Sequence, residues 1–144
     1  MIDVKRHELE AAFRKNWKAY DEAAEKGSPH RLILFYAVEC GLKVYIMRKN
    51  PRLKTTADFA EVEDLAQLRQ THDINLLLAK AGYRIATVKS IRYRAPGWPR
   101  LYSLAYAHQV HELWRYSVEA NDENMQEVVH RLEEIAAWLQ GEAD

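Results

Sequence analysis

Arg31 to Met47 reads RLILFYAVECGLKVYIM, and no other stretch of the chain restricts the possible folds as much. An unbroken apolar run covers Leu32 to Val38 and is followed by Cys40, Leu42 and Val44 to Met47. A helix built from it is apolar almost all round and needs neighbours on several sides. Glu39 and Lys43 interrupt it, and the run is too short to read as a membrane span. The stretch therefore predicts the central helix of a helical domain. Glu39 and Lys43 are four apart, share a helix face and can pair. Two charges inside the most buried helix need partners, which makes them the first place to look for function.

Five further segments follow from periodicity. Asp3 to Lys26 predicts a helix with Leu9, Phe13, Trp17, Tyr20 and Ala24 on one face, Asp3 as N-cap and Gly27 as its stop. Ser28-Pro29 then opens the central helix, which ends at Asn50-Pro51. Arg48, Lys49, Arg52 and Lys54 cluster at that end, where positive charge complements the helix dipole. Thr56 or Asp58 caps a short helix over Phe59 to Arg69, and Thr71 caps another over Ile74, Leu77, Leu78 and Ala81, ended by Gly82. Leu101 to Val118 predicts a long helix. Asn121 or Asp122 caps a last one with an inner stripe of Met125, Val128, Val129, Leu132, Ile135, Ala136 and Leu139, and Gly141 ends the order. No segment alternates convincingly as a strand. The expected architecture is all-α: one domain over residues 1–144, an up-and-down bundle of five or six helices with an irregular loop at about 83–100.

Composition narrows the function classes. With 21 basic and 21 acidic residues, the whole-chain charge is zero, so a strongly basic nucleic-acid footprint is absent. One cysteine excludes an internal disulfide, and the charged start from Met1 to Glu10 is unlike a signal peptide, so a cytoplasmic location is expected, with no membrane contact. There is no glycine-rich phosphate loop, no GxSxG and no HExxH. Cys40 lies in an apolar run and reads as an inert core residue. No metal or other cofactor is expected, although His108, His111 and Glu112 lie close together on one predicted helix.

Two groups of residues could support chemistry. The irregular loop carries Arg84, Lys89, Arg92, Arg94 and Arg100 with Tyr93 and Trp98 between them, a pattern that suits stacking and phosphate contacts with single-stranded nucleic acid, or simply anchors a solvated loop. His108, His111 and Arg115 share a side of the next helix. Histidine beside arginine suffices in kind for metal-free cleavage of RNA, which needs a proton-transfer group and a cation for the extra charge at phosphorus. Equally, Arg115 could be a structural partner of Glu39, or of a shared network of Glu39, Lys43 and Arg115.

The order FYAVECGLKVYIMR, THDINLLLAKAG, HELWRYS and a last helix with EIAAWL resembles the HEPN domain family, from about Arg31 to Leu139. The resemblance implies a helical bundle that commonly forms a symmetric homodimer. It also implies a role in toxin–antitoxin or phage-defence systems, with an antitoxin or nucleotidyltransferase as partner. Active members are metal-independent ribonucleases, marked by an arginine followed after four to six residues by a histidine. Arg115 fits the arginine, but after five intervening residues comes Asn121, and Arg100 and His108 are separated by seven. The resemblance thus implies a module that binds RNA, a nucleotide or a partner protein without catalysis of its own, through Glu39, Lys43, Asn121, Arg100, Arg94 and Trp98. The alternative is a ribonuclease using Arg115 with His108 or His111. A third reading is a small partner subunit whose apolar dimer face is its purpose.

Overall fold

The computed structural model describes residues 2–83, 87–94, 102–118, 120 and 123–143. Within them the chain is mostly helical, with one small sheet. The α-helices are α1 (Arg6–Glu22), α2 (Ser28–Lys49), α3 (Ile74–Ala81), α4 (Val110–Arg115) and α5 (Glu123–Ala143). Two short 3-10 helices, Thr56–Glu61 and Glu63–Arg69, join α2 to α3. Two four-residue strands, β1 (Ile91–Arg94) and β2 (Tyr102–Ala105), pair antiparallel with Ile91 opposite Ala105 and Arg94 opposite Tyr102.

α2 is the axis of the fold, as its sequence requires. It packs against α1, α3, α4 and α5, and eleven of its 22 residues are buried, Glu39 and Lys43 among them. Gly41 marks the closest approach: a Cβ there would lie 2.8 Å from Leu139 Cδ1 and 3.0 Å from Phe13 Cδ2, so the missing side chain lets α1 and α5 press on α2 together. The predicted stripe of α5, Met125 to Leu139, is buried in full. Leu9, Phe13 and Tyr20 do the same for α1, while Trp17 lies at the rim and donates its Nε1–H to Gln140 at 2.5 Å.

Several sequence expectations are corrected. α1 is shorter than Asp3 to Lys26. Asp3 does not cap it but takes a forked hydrogen bond from Arg69 (3.0 and 2.6 Å) and another from the Thr56 hydroxyl (3.1 Å). Arg69, foremost, holds the Asp3 carboxyl below its usual range. Ala24 lies past the helix end, and Gly27 stands as the N-cap of α2 rather than as the stop of α1. The helix over Phe59 to Arg69 is two 3-10 segments split at Val62. Asp73, not Thr71, caps α3, accepting from the N–H groups of Asn75 (3.0 Å) and Leu76 (3.2 Å). Gly82 does end α3, in the left-handed conformation at φ 77°.

The largest correction concerns Leu101 to Val118. Its first part is strand β2 and α4 begins only at Val110. Leu104, Ala107, Val110 or His111 and Trp114 mimic a helical face, but Leu104 is 45% exposed and Ala105 is the buried neighbour. The alternation belongs to a strand whose partner, β1, lies across the interruption of Pro96, Gly97 and Pro99. Ile91, inside the segment expected to be an irregular loop, is the buried inner position of β1. Gly141 does not end α5, which runs on to Ala143. Among the described residues no helix is long and apolar enough to cross a membrane.

Candidate functional site

The buried charges of α2 lead to a polar cluster where α2, the start of α3 and α4 meet. Tyr36, Glu39 and Lys43 lie on one side of α2 at steps of three and four. Glu39 and Lys43 are 8% and 7% exposed. The partner of Glu39 is neither Lys43 nor Arg115: its Oε1 lies 2.6 Å from His72 Nδ1. Nor is Arg115 joined to Glu39 and Lys43 in a hydrogen-bonded network, since its Nη2 donates instead to the Tyr36 hydroxyl at 2.5 Å. The predicted Glu39–Lys43 and Glu39–Arg115 pairs do not form because the residue before the α3 cap reaches Glu39 first.

His72 is placed by local turn chemistry. Thr71 Oγ1 accepts from Asp73 N–H at 3.0 Å, and Asp73 caps α3. These two bonds fix the backbone on the C-terminal side of His72, which projects its ring towards α2. The His72 side chain is 45% exposed, whereas Glu39's is only 10% exposed. The arrangement is a half-open imidazole resting on a buried carboxylate. With Nδ1–H donated to Glu39, the tautomer is set and Nε2 is left for other business.

α4 supplies the rest. His111 and Arg115 are four apart, one helical turn, so both face the same neighbourhood. The His111 ring lies 4.6 Å from that of His72 and 5.2 Å from that of Phe35, centroid to centroid. His111 is 4% exposed, and its Nδ1 is buried without a hydrogen-bond partner. Trp114 closes the floor, fully buried, against Phe35 and the Met125 sulfur.

The two imidazoles are driven in opposite directions. The hydrogen bond that it donates to Glu39 raises His72 above the ordinary histidine value, against burial and the nearby charges of Lys43 and Arg115. Burial, followed by the charges of His72 and Arg115, lowers His111. The two rings thus differ in their hold on a proton, His72 holding it more firmly and His111 less, and the exposed Arg115 cation acts on both. Burial pushes the Cys40 thiol up to about 11, so it stays protonated, in line with an inert residue.

The structure thus brings together three of the residues singled out by sequence, Glu39, His111 and Arg115, with Lys43 beside them. His108 is exposed and stacks on Tyr106, with no contact to Glu39, His72 or His111. Arg94 is on β1, in a different cavity. Asn121, Arg100 and Trp98 lie outside the described residues. Sequence reasoning passed over His72, although it stands in THDINLLL and a buried glutamate on α2 required a partner. Among the described residues no group of three His, Cys, Asp or Glu side chains is placed to hold a metal ion.

Comparison of the chain with protein-family models, with characterised proteins and with solved structures finds no match. The functional reading therefore rests on this cluster and on the motif order in the sequence.

Proposed function

We propose that this chain is a HEPN-like module that binds RNA by gripping a phosphodiester at the Glu39–His72–His111–Arg115 cluster. In that reading it works as a homodimer in a prokaryotic toxin–antitoxin or phage-defence type system, with an antitoxin or nucleotidyltransferase as partner. The observation that carries the proposal is the 2.6 Å bond between buried Glu39 and half-exposed His72, with Arg115 alongside. A buried carboxylate that holds an imidazole in one orientation, next to an exposed guanidinium, is an arrangement suited to a phosphate. Arginine supplies a planar charged fork, and the positioned histidine supplies a second donor when protonated. The neutral net charge fits a small, local anion site rather than a broad basic track.

A second reading, metal-independent cleavage of RNA, is favoured by the opposite shifts of His72 and His111. Environments that push two titratable groups apart separate acid from base. Here His72, oriented through Nδ1 by Glu39, would give its Nε2 proton to the departing 5′-oxygen. The 2′-oxygen would attack phosphorus as its own proton passes to His111, and the bond from phosphorus to the 5′-oxygen would break, giving a 2′,3′-cyclic phosphate. Arg115 would stabilise the charge gathered on the phosphorane oxygens.

Both readings are tested with purified protein and fluorescent single-stranded RNA in EDTA. Binding by wild type that weakens about tenfold or more in Arg115→Ala and His72→Ala, as expected when a charge-assisted hydrogen bond is removed, supports the site. Cleavage that is lost in the same variants adds the second reading. RNA binding that neither substitution alters refutes both.

A further inference from the structure

Between the hairpin and α4 lies a cavity of about 240 Å³. Tyr93 stands two residues from the buried Ile91 on the same face of β1, and Ala105 lies opposite Ile91 on β2. From α4 and the residues that follow it come Glu112, Leu113, Tyr116 and Val118. The wall therefore holds two aromatic rings, one carboxylate and an apolar floor. No Lys or Arg is among the described residues that line it.

The end of α4 explains this arrangement. Ser117 takes the left-handed conformation at φ 51°, in a position that glycine usually holds. The chain reverses there, and the Val118 N–H bonds back to the Leu113 carbonyl at 2.8 Å. That turn sets Val118 beside Leu113, while Tyr116 stays 69% exposed. Arg115 is three residues from Glu112 and could reach back to it, but its guanidinium is engaged by the hydroxyls of Tyr36 and Tyr116. Among the described residues the Glu112 side chain has no hydrogen bond or ion pair, and neither the Tyr93 nor the Tyr116 ring is in contact with another ring.

Aromatic rings together with a carboxylate attract an organic cation. An ammonium with three N–H donors needs an acceptor for each, and Ala105, Leu113 and Val118 have no side-chain acceptor to offer. A quaternary ammonium donates no hydrogen bond and presents methyl groups to such a floor. The cavity is smaller than the roughly 300–1,000 Å³ that drug-sized ligands fill, so its occupant is small.

We propose that this cavity binds a quaternary ammonium group, with Glu112 as the counter-charge and the Tyr93 and Tyr116 rings as cation–π partners. A free choline-like molecule and a trimethylated lysine side chain present the same group. The inference does not depend on the phosphodiester site proposed above.

The test is isothermal titration of the full chain with tetramethylammonium, with choline, with a short peptide carrying trimethyllysine, and with the neutral isostere of choline that has a tert-butyl group in place of trimethylammonium. The inference expects choline, the peptide, or both, to bind. It expects the isostere to bind about tenfold more weakly than choline, the scale of a cation–π contact and one counter-charge together. Choline binding more tightly than the peptide identifies a free small molecule as the source, and the reverse identifies a protein side chain. Glu112→Gln and Tyr116→Leu should each weaken binding about threefold or more, while Tyr116→Phe, which keeps the ring, should retain it. Both residues are exposed, and melting curves check that each variant is folded. The inference is overturned if none of the cationic probes binds, or if the isostere binds as tightly as choline. It is overturned too if folded Glu112→Gln and Tyr116→Leu bind as wild type does, or if only the peptide binds and its unmethylated form binds equally well.

Discussion

Replacing His72 by alanine leaves the buried Glu39 carboxylate without its hydrogen-bond donor. A hydrogen bond to a charged group contributes about 1.5–3 kcal/mol, and a buried acceptor left unpaired costs a similar amount. Because the His72 side chain is 45% exposed, water screens part of that, and about 1–2 kcal/mol is the expected loss. For a chain of 144 residues this corresponds to a fall in Tm of about 3–6 °C. The loss should depend on pH. His72 has a folded-state pKa raised by Glu39, so its protonation adds stability that is fully present below the unfolded value near 6.5 and disappears as pH rises through the folded value. His111 acts in the opposite sense: its lowered pKa removes stability as pH falls below about 6.5. Urea unfolding of wild type and His72→Ala at pH 5.5 and pH 9 isolates the first term, and repeating the pair on a His111→Gln background removes the second. The difference between wild type and His72→Ala should be larger at pH 5.5 than at pH 9, and Glu39→Gln should flatten it. An equal difference at both pH values, or a larger one at pH 9, would refute the coupling of His72 to Glu39.

Other perturbations have simpler expectations. Trp114→Ala, which empties a fully buried site against Phe35 and Met125, should cost about 3–5 kcal/mol by urea unfolding. Asp73→Ala removes the cap of α3 and should cost about 1 kcal/mol, while Asp73→Ser should recover most of it. Asn75 clamps Val88 from both sides, accepting its N–H at 2.6 Å and donating to its carbonyl at 2.9 Å. Asn75→Ala should therefore speed hydrogen exchange at the Val88 amide with little change in α1.

What could be read from residues alone tracks the length over which a pattern repeats. α1, α2 and α5 each run for several turns, and most positions of their apolar stripes are buried, Met125 to Leu139 without exception, while in α1 Trp17 lies at the rim and Ala24 beyond the helix. The hairpin escaped because each strand is four residues long, too short for alternation to outweigh the accidental helical spacing of Leu104, Val110 and Trp114. Cap positions slipped by one or two residues, as at Asp73, where two neighbouring residues both have capping side chains. Of the site, the buried acid on α2 and the His111–Arg115 step were visible. Their partners were not, because pairing Glu39 with His72 requires the placement of α3 against α2, a tertiary fact that spacing does not encode.

The most direct measurement of the central claim is RNA binding by wild type, His72→Ala and Arg115→Ala in EDTA, followed by fluorescence anisotropy with a single-stranded RNA. The account predicts measurable binding by wild type and a loss of about tenfold or more in each variant, with both variants still folded by circular dichroism. Binding that is unchanged in both, or absent in a folded wild type, would contradict the assignment of the Glu39–His72–His111–Arg115 cluster as a phosphodiester site.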